Sequence, residues 1–177
     1  LLSVTRIEEG RMQIRQSAEL VDEVIKEALK HTGQSRTGRT IKVEEEDELI
    51  LAKMDARLIV QVLINLIGNA VKYTPQGTDI TVRVKKEKAE NAERSQVIIS
   101  VCDLGNGIPD DRKERVFDMF YTGSDQVADS RRSLGLGLGL CRSIINAHGG
   151  KIWISDNIPH GAVVTFTLPA EEVALNE

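Results

Sequence analysis

The stretch Val97-Ile-Ile-Ser-Val-Cys-Asp103-Leu-Gly105-Asn-Gly107-Ile-Pro109 decides how the rest of this chain is interpreted. Its first half is short, apolar and rich in β-branched residues, which predicts a strand with much of its surface buried. The strand ends on a carboxylate, and the two glycines that follow allow the backbone to turn through positive φ and a ligand to approach closely. By itself the pattern is more often an acid that caps a glycine-rich turn. The other stretches of the sequence must therefore decide between a turn and a binding site.

The composition is typical of a soluble globular protein, with 177 residues, 41% hydrophobic residues and a formal net charge of −4. Acidic and basic residues are interspersed, so we expect no basic face for nucleic acid or anionic lipid. The longest apolar runs are far too short to cross a bilayer. Cys102 and Cys141 are distant from each other and lie in apolar surroundings, which predicts buried free thiols and no metal site.

Hydrophobic periodicity predicts three long helices. Ser17 is a suitable N-cap for the first, which is expected to run through Lys30. Asp55 caps the second helix, which has the strongest apolar face and ends near Tyr73. The third runs from about Gly137 to His148 and stops at two glycines. A shorter helix is expected from Pro109 to about Phe120, because proline suits a first helical turn.

Alternating or β-branched runs predict strands between these helices. They are Arg11 to Arg15, Thr40 to Glu44, Leu49 to Ala52, Ile80 to Val84, the strand that precedes Asp103, Lys151 to Ser155 and Val163 to Leu168. The last two are expected to form a hairpin around Asn157 to Gly161. The element order predicts an α+β fold, a two-layer α/β sandwich in which a mixed sheet of about five strands packs on three helices.

Two asparagines on the second helix indicate a site for a metal and phosphates. Asn65 and Asn69 lie four residues apart on one face, which Lys72 and Tyr73 extend by the next turn. Asparagine is unfavourable inside a helix, so two in line suggest a use for their side-chain oxygens. Mg²⁺ takes oxygen ligands and commonly binds through few protein groups together with phosphates, which Lys72 could also meet. The alternative is a polar helix edge that faces water.

The stretch Ser133-Leu-Gly135-Leu-Gly137-Leu-Gly139-Leu140 alternates glycine with leucine ahead of the third helix. Glycines that lead into a helix can present backbone N–H groups to an anion. Their spacing differs from the Rossmann pattern, and the lysine of a Walker A loop is absent. A tight loop with close helix packing is equally compatible with the pattern.

The polar segment Tyr121 to Leu134 is predicted to be a mobile loop. Arg131 and Arg132 near its end could reach a terminal phosphate, and a solvated basic pair is the alternative. No arrangement of serine, cysteine and histidine predicts nucleophilic catalysis. His148 is interpreted as a last-turn residue that suits the helix dipole.

Together and in this order, these stretches resemble the ATP-binding catalytic domain of sensor histidine kinases, in the superfamily that includes the Hsp90, MutL and gyrase-type ATPases. The resemblance covers nearly the whole chain and implies the Bergerat fold. Four motifs carry it: Asn65-Leu-Ile-Gly-Asn69-Ala-Val-Lys72-Tyr73-Thr-Pro as the N box, Asp103-Leu-Gly105-Asn-Gly107 as the G1 box, Phe117-Asp-Met-Phe120 as the F box, and Gly135-Leu-Gly137-Leu-Gly139-Leu as the G2 box. The stretches His148-Gly-Gly and Gly161-Ala-Val-Val-Thr-Phe-Thr-Leu-Pro are similar to the family's closing hairpin.

The resemblance implies a role for each motif. Asp103 would accept a hydrogen bond from the adenine amino group of ATP, and Asn69 with Asn65 would hold Mg²⁺ against the phosphates. Lys72 and Tyr73 would flank the nucleotide, the G2 glycines would bind phosphates through their amides, and residues 121–134 would form the ATP lid. The implied nucleotide contacts also include Gly105, Gly107, Ile108, Phe120, Arg131, Arg132, Gly135, Leu136, Gly137, Leu138, Gly139, Leu140 and Thr165.

The implied reaction is transfer of the γ-phosphoryl group of ATP to a histidine on a separate helical domain. None of the histidines, His31, His148 and His160, is followed by the acid that follows a phosphoacceptor, so the acceptor is expected upstream. The chain lacks an initiator Met, and residues 1–10 resemble the end of the dimerisation and phosphoacceptor domain. Residues 11–172 would be the catalytic domain and 173–177 a tail.

The resemblance also implies partners and a location. They are the upstream domain, a response regulator and a second copy of the parent protein, with no nucleic acid. The domain would be cytoplasmic, and whether the parent is anchored in the cell membrane is left open.

Three departures and similarities refine the resemblance. The ATPases of the superfamily place a glutamate general base where this chain has Asn65, which cannot take a proton from water, so efficient hydrolysis is not expected. Many kinases carry an arginine at the position of Thr122, a role that Arg131 or Arg132 could take. The stretch Cys141 to Gly150 is similar to that of Kdp-type, potassium-responsive sensor kinases.

Two alternatives to the kinase function are a degenerate domain that binds ATP without phosphorylating anything, and an ATPase of the Hsp90 or MutL kind.

Overall fold

The computed structural model describes residues 12–32, 40–46, 49–88, 95–118 and 136–171. Within these ranges the helices are α1 (Val21–Lys30), α2 (Ala56–Tyr73) and α3 (Leu136–Ala147). The strands are β1 (Ser17–Leu20), β2 (Ile41–Glu45), β3 (Leu51–Met54), β4 (Ile80–Lys88), β5 (Ser95–Cys102), β6 (Ile152–Asp156) and β7 (Ala162–Glu171). None of these helices is long and apolar enough to cross a membrane.

The strands form one mixed sheet in the order β1-β3-β7-β5-β4-β2. The pair β2–β4 is parallel and the other pairs are antiparallel. The long strand β7 pairs with β5, with β6 along its first half and with β3 at its end. With seven strands in the described residues, the sheet is larger than the expected five or so, because β1 and the short β6 both join it.

The helices cover one face of this sheet, with α2 in contact with both α1 and α3. Alternate residues of the central strands, such as Val97, Ile99 and Val101 on β5 and Phe166 on β7, belong to the core beneath the helices. The predicted α+β two-layer sandwich is therefore confirmed. The alternation continues past the end of β5 and directs Asp103 toward the helix-covered face.

The N-terminal part of the sequence prediction is wrong. Ser17 does not cap a helix: it begins β1, which pairs antiparallel with β3, and α1 starts at Val21. The strand expected from Arg11 to Arg15 is absent from residues 12–15, and the Arg15 N–H donates to Asp55 Oδ2 at 3.1 Å. The four-residue edge strand β1 pairs its backbone hydrogen-bonding groups with those of β3. This is a tertiary contact that local propensity does not reveal.

The helix predicted from Pro109 to Phe120 is also wrong in its described part. Two single 3₁₀ turns, Asp110–Arg112 and Arg115–Phe117, take its place. The Lys113 side chain donates to the carbonyl of Ile108 at 2.8 Å, which draws the chain into a tight turn. The segment has no apolar repeat along which a longer helix could pack.

Candidate functional site

The turn after β5 holds Asp103 in one orientation. Its backbone N–H donates to the carbonyl of Ala162 on β7 at 2.9 Å. One carboxylate oxygen, Oδ1, accepts the N–H of Gly105 at 2.9 Å and the N–H of Ala162 at 3.1 Å. Among the described residues, no hydrogen bond reaches the other oxygen, Oδ2. The carboxylate is therefore fixed through one oxygen and presents the second as an acceptor.

Close packing brings this turn to the end of α2. A Cβ built on Gly105 would lie 2.8 Å from Thr74 Cγ2 and 3.4 Å from the carbonyl oxygen of Tyr73. Gly107 has a φ of +75°, and a Cβ there would lie 3.1 Å from the Gly161 carbonyl oxygen. The contacts of the turn therefore leave no room for a side chain at either glycine, and the predicted turn through positive φ is found at Gly107. The predicted close approach of a ligand stays a prediction.

The first turn of α3 approaches the middle of α2. A Cβ built on Gly137 would lie 3.7 Å from Asn65 Oδ1, an ordinary van der Waals contact. Along α2, Asn65 and Tyr73 are separated by about 12 Å, given the rise of an α-helix. The Asp103 turn and the start of α3 thus meet α2 at two points along its length, and Asn69 lies between them in sequence.

The polar residues of α2 differ in exposure. Asn65 and Asn69 are half-buried, and the described part of the chain supplies no hydrogen bond to the Asn69 amide. Lys72 and Tyr73 are exposed, with Lys72 Nζ 5.7 Å from the centroid of the Tyr73 ring. Among the described residues the Asn69 amide is thus without a partner, while Lys72 and Tyr73 form the outer edge of the same region.

The start of α3 supplies backbone donors that the helix itself does not use. Leu136, Gly137 and Leu138 open the helix, and N–H groups of a first turn have no acceptor within the helix. Gly139 and Leu140 follow in the first half of the same helix. The expectation that the Gly139 amide binds a phosphate stays a prediction.

The structure does not bring Thr165 to this site. Thr165 lies on the sheet face opposite the helices, where its hydroxyl is 2.9 Å from the hydroxyl of Ser100. Residues on a strand alternate between faces, and the neighbour Phe166 is the one that points into the core. Ile108 follows Gly107 directly and packs partly against the core.

Several predicted positions lie outside the described residues. They are Phe120, Arg131, Arg132, Gly135, the lid segment 121–134, and the terminal segments 1–10 and 173–177. Their proposed roles stay predictions. Phe117, the first residue of the F box, is buried beneath Arg142 of α3, whose guanidinium lies 4.4 Å from the ring centroid. Arg142 also pairs with Glu114 at 2.6 Å, so the described part of the F box is anchored to α3.

His148 is a buried structural residue at the far end of α3. Its Nε2 accepts the N–H of Asp55 at 3.0 Å, and its Nδ1 donates to the carbonyl of Ile144 at 2.7 Å. Burial lowers the pKa of His148, which keeps the imidazole neutral. The interpretation of His148 as a residue that suits the helix dipole is therefore wrong, because that role requires a charged ring.

The two cysteines are free and buried, as predicted. Burial raises the pKa of the Cys141 thiol to about 12, so this thiol is not a nucleophile at neutral pH. Burial also raises the pKa of Cys102. Neither thiol belongs to a cluster of metal-ligating side chains within the described ranges.

Two residues near Asp103 were missed by sequence reasoning. Asn157 Nδ2 donates to the backbone carbonyl of Asp103 at 2.7 Å, and His160 Nδ1 donates to that of Gly105 at 2.9 Å. Both belong to the turn between β6 and β7, for which the sequence indicated only a hairpin. No local signal marks them, because their partners lie more than fifty residues earlier in the chain.

Comparison with known proteins identifies the class to which this fold and site belong. Residues 54–172 match the family described as histidine kinase-, DNA gyrase B- and HSP90-like ATPases, and the chain belongs to this family. The solved catalytic domain of the histidine kinase ThkA is 31% identical with a TM-score of 0.73, over 88% of this chain and 96% of that domain. The resemblance stated from the four motifs is thereby confirmed.

Individual relatives refine this assignment. The sensor protein KdpD of Clostridium acetobutylicum is 39% identical over 171 residues, which cover 97% of this chain and 18% of that protein. The adaptive-response sensory kinase SasA of Gloeothece citriformis is 32% identical over 171 residues, which cover 96% of this chain and 42% of that protein. The chain thus spans less than half the length of either relative.

Proposed function

We propose that this chain is the ATP-binding catalytic domain of a two-component sensor histidine kinase, which transfers the γ-phosphoryl group of ATP to a histidine on a separate helical domain. One observation carries the proposal. Asp103 presents one carboxylate oxygen that accepts no hydrogen bond from the described residues, on the same sheet face as α2 and at the end of α2 that also bears Asn69 and Lys72. The start of α3 adds free amides at a second point along α2.

The described residues suit the two halves of the nucleotide. Asp103 Oδ2 would accept a hydrogen bond from the exocyclic amino group of adenine, which a guanine does not offer at that position. The amides of the first turn of α3 would hold phosphate oxygens, because a helix N-terminus favours anions. Lys72 would act as a point charge near the phosphates, and Tyr73 would cover the nucleotide's outer edge.

The same helix face suits Mg²⁺. The metal prefers oxygen ligands, and the half-buried, unengaged amide of Asn69 offers one without adding negative charge beside the phosphates. Asn65, one turn earlier, would contribute from the position nearest α3. When bound, Mg²⁺ would neutralise the charge that develops on the transferred phosphoryl group.

The chain's residues favour transfer over hydrolysis. Asn65 stands where a general base would be needed to activate water, and an amide cannot take that proton. The domain would therefore bind and orient ATP, while the attacking imidazole belongs to the upstream helical domain. We place the end of that domain in residues 1–10 and a tail in residues 173–177.

The proposed partners follow from the same role. A second ThkA structure shows this kinase in complex with the response regulator TrrA. It is 29% identical to this chain with a TM-score of 0.72, and the match covers 96% of this chain and 47% of that one. We propose that the parent of this chain is homodimeric and that this domain lies in the cytoplasm. The parent would pass its phosphoryl group to a response regulator of its own.

Replacing Asp103 with asparagine tests the adenine assignment. The variant keeps an oxygen for the Gly105 and Ala162 amides but turns an NH₂ group toward the adenine amino group, so two donors would face each other. We expect ATP affinity to fall about 10- to 100-fold, the cost of losing a charge-assisted hydrogen bond, with GTP binding unchanged. Calorimetric titration of both nucleotides in the presence of Mg²⁺ measures this. An unchanged preference for ATP would refute the assignment.

Two activity measurements separate the alternatives. Steady release of phosphate by the chain alone would favour an ATPase of the Hsp90 or MutL kind and contradict the role given to Asn65. Supplying the missing helical domain in trans should yield phosphohistidine. A chain that binds ATP yet yields none would be a degenerate, nucleotide-sensing module.

A further inference from the structure

The turn between β6 and β7, residues 157–161, packs closely on the turn that carries Asp103. A Cβ built on Gly161, whose φ is +112°, would lie 2.1 Å from the carbonyl oxygen of Asp103. The next residue, Ala162, accepts the backbone N–H of Asp103 and donates its own N–H to the Asp103 carboxylate. The two turns therefore form one unit, although they are distant in sequence.

Asn157 is held in place so that its amide donates to this unit. Its backbone N–H donates to the Gly161 carbonyl at 2.9 Å, and its side-chain oxygen accepts the N–H of Ile158 at 2.9 Å. These bonds fix the side chain, and its Nδ2 then donates to the carbonyl of Asp103 at 2.7 Å. The Asn157 side chain is half-buried, so this bond is partly protected from water.

His160 makes the equivalent contact two residues further along the Asp103 turn. Its Nδ1 lies 2.9 Å from the carbonyl oxygen of Gly105. A carbonyl oxygen only accepts hydrogen bonds, so His160 Nδ1 carries the proton. Asn157 thus binds the peptide group that follows Asp103, and His160 binds the peptide group that follows Gly105. The peptide group that joins Leu104 to Gly105 lies between these two.

That central peptide group supplies the Gly105 N–H, which binds Asp103 Oδ1 at 2.9 Å. A tilt of either flanking peptide group would move this N–H and rotate the carboxylate with it. We propose that Asn157 and His160 are positioning residues that set the direction of Asp103 Oδ2 and thereby the preference for adenine. This inference rests on the proposed function, because it concerns how Asp103 recognises ATP.

The test compares ATP with inosine triphosphate, which carries an oxo group where adenine carries the amino group. Calorimetric titrations with Mg²⁺ would use the wild-type chain, Asn157→Ala, His160→Ala, Asp103→Asn and the Asp103→Asn/Asn157→Ala double variant. Ile158→Ala is the matched control, since its side chain belongs to the same turn and is 88% exposed. Thermal melting would show that each variant is folded.

We expect Asn157→Ala and His160→Ala each to weaken ATP binding about three- to tenfold, the value of one hydrogen bond, with inosine triphosphate binding unchanged. Ile158→Ala should match the wild type. In the Asp103→Asn background, Asn157→Ala should cause no further loss of ATP affinity, because it acts through the Asp103 carboxylate.

A purely structural role predicts a different pattern. Equal weakening of both nucleotides, additive losses in the double variant, or an unchanged preference for ATP would each overturn the positioning role. His160→Ala removes only one hydrogen bond from an exposed residue, so it carries the test if Asn157→Ala fails to fold. If the proposed function itself is wrong, the Asp103→Asn single variant will retain the wild-type preference for ATP over inosine triphosphate. This result distinguishes that failure from a failure of the positioning role alone.

Discussion

Replacing Gly161 with alanine is expected to lower ATP affinity by about 100-fold or more. The added Cβ would lie 2.1 Å from the oxygen and 2.8 Å from the carbon of the Asp103 carbonyl group, so the Asp103 turn must shift. Both contacts are to backbone, which cannot move aside as a flexible side chain does. A displacement of about an ångström would remove the alignment of the carboxylate with adenine, an effect of the size seen when positioned groups are misplaced. Calorimetric titration with ATP and Mg²⁺ measures the loss.

Gly149→Ala provides the matched control for this prediction. Gly149 also has a positive φ, +77°, but a Cβ built there meets no atom within 4 Å. The control therefore carries only the backbone strain of about 1–2 kcal/mol and should retain wild-type ATP affinity. If Gly161→Ala bound ATP as tightly as Gly149→Ala, the two turns could not form the single unit described here.

Replacing His148 with alanine is expected to lower the free energy of unfolding by about 3 kcal/mol. The change leaves a cavity and deprives the buried N–H of Asp55 of its acceptor. Because His148 is at the opposite end of α3 from the proposed nucleotide site, the folded variant should bind ATP normally. Urea denaturation measures the stability, and a loss below about 1 kcal/mol would show that the contact between α3 and the start of α2 is dispensable.

The pH dependence of stability isolates the protonation of His148. Burial lowers its pKa in the folded state, so the unfolded chain binds the proton more readily. The contribution of His148 to stability is therefore complete above the unfolded pKa of about 6.5 and declines as the pH falls below it. His148→Gln offers both an acceptor and a donor but no charge, so the difference in stability between wild type and this variant should shrink as the pH falls. A constant difference between about pH 5 and pH 7 would contradict a neutral His148.

Much of the architecture could be predicted from local signals. The bounds of α2 and α3 agree with the prediction to within one residue, because each helix has a strong apolar period and clear end signals. The strand before Asp103 and the need for glycine at Gly105 and Gly107 were also evident, since β-branched runs and paired glycines report directly on backbone conformation. The predictions of strand Arg11 to Arg15 and of a helix after Pro109 failed where the local pattern was short and weak.

The sequence by itself determined the class of protein and supplied the candidate binding residues, because the N, G1, F and G2 motifs are contiguous stretches whose order and spacing can be compared directly. Only the tertiary structure decided which of those residues meet. It placed Thr165 on the sheet face opposite the helices, and it brought Asn157, His160 and His148 to partners 54, 55 and 93 residues away. The physical reason is that hydrogen bonds and close packing between distant segments depend on strand register and helix placement, which no local period encodes.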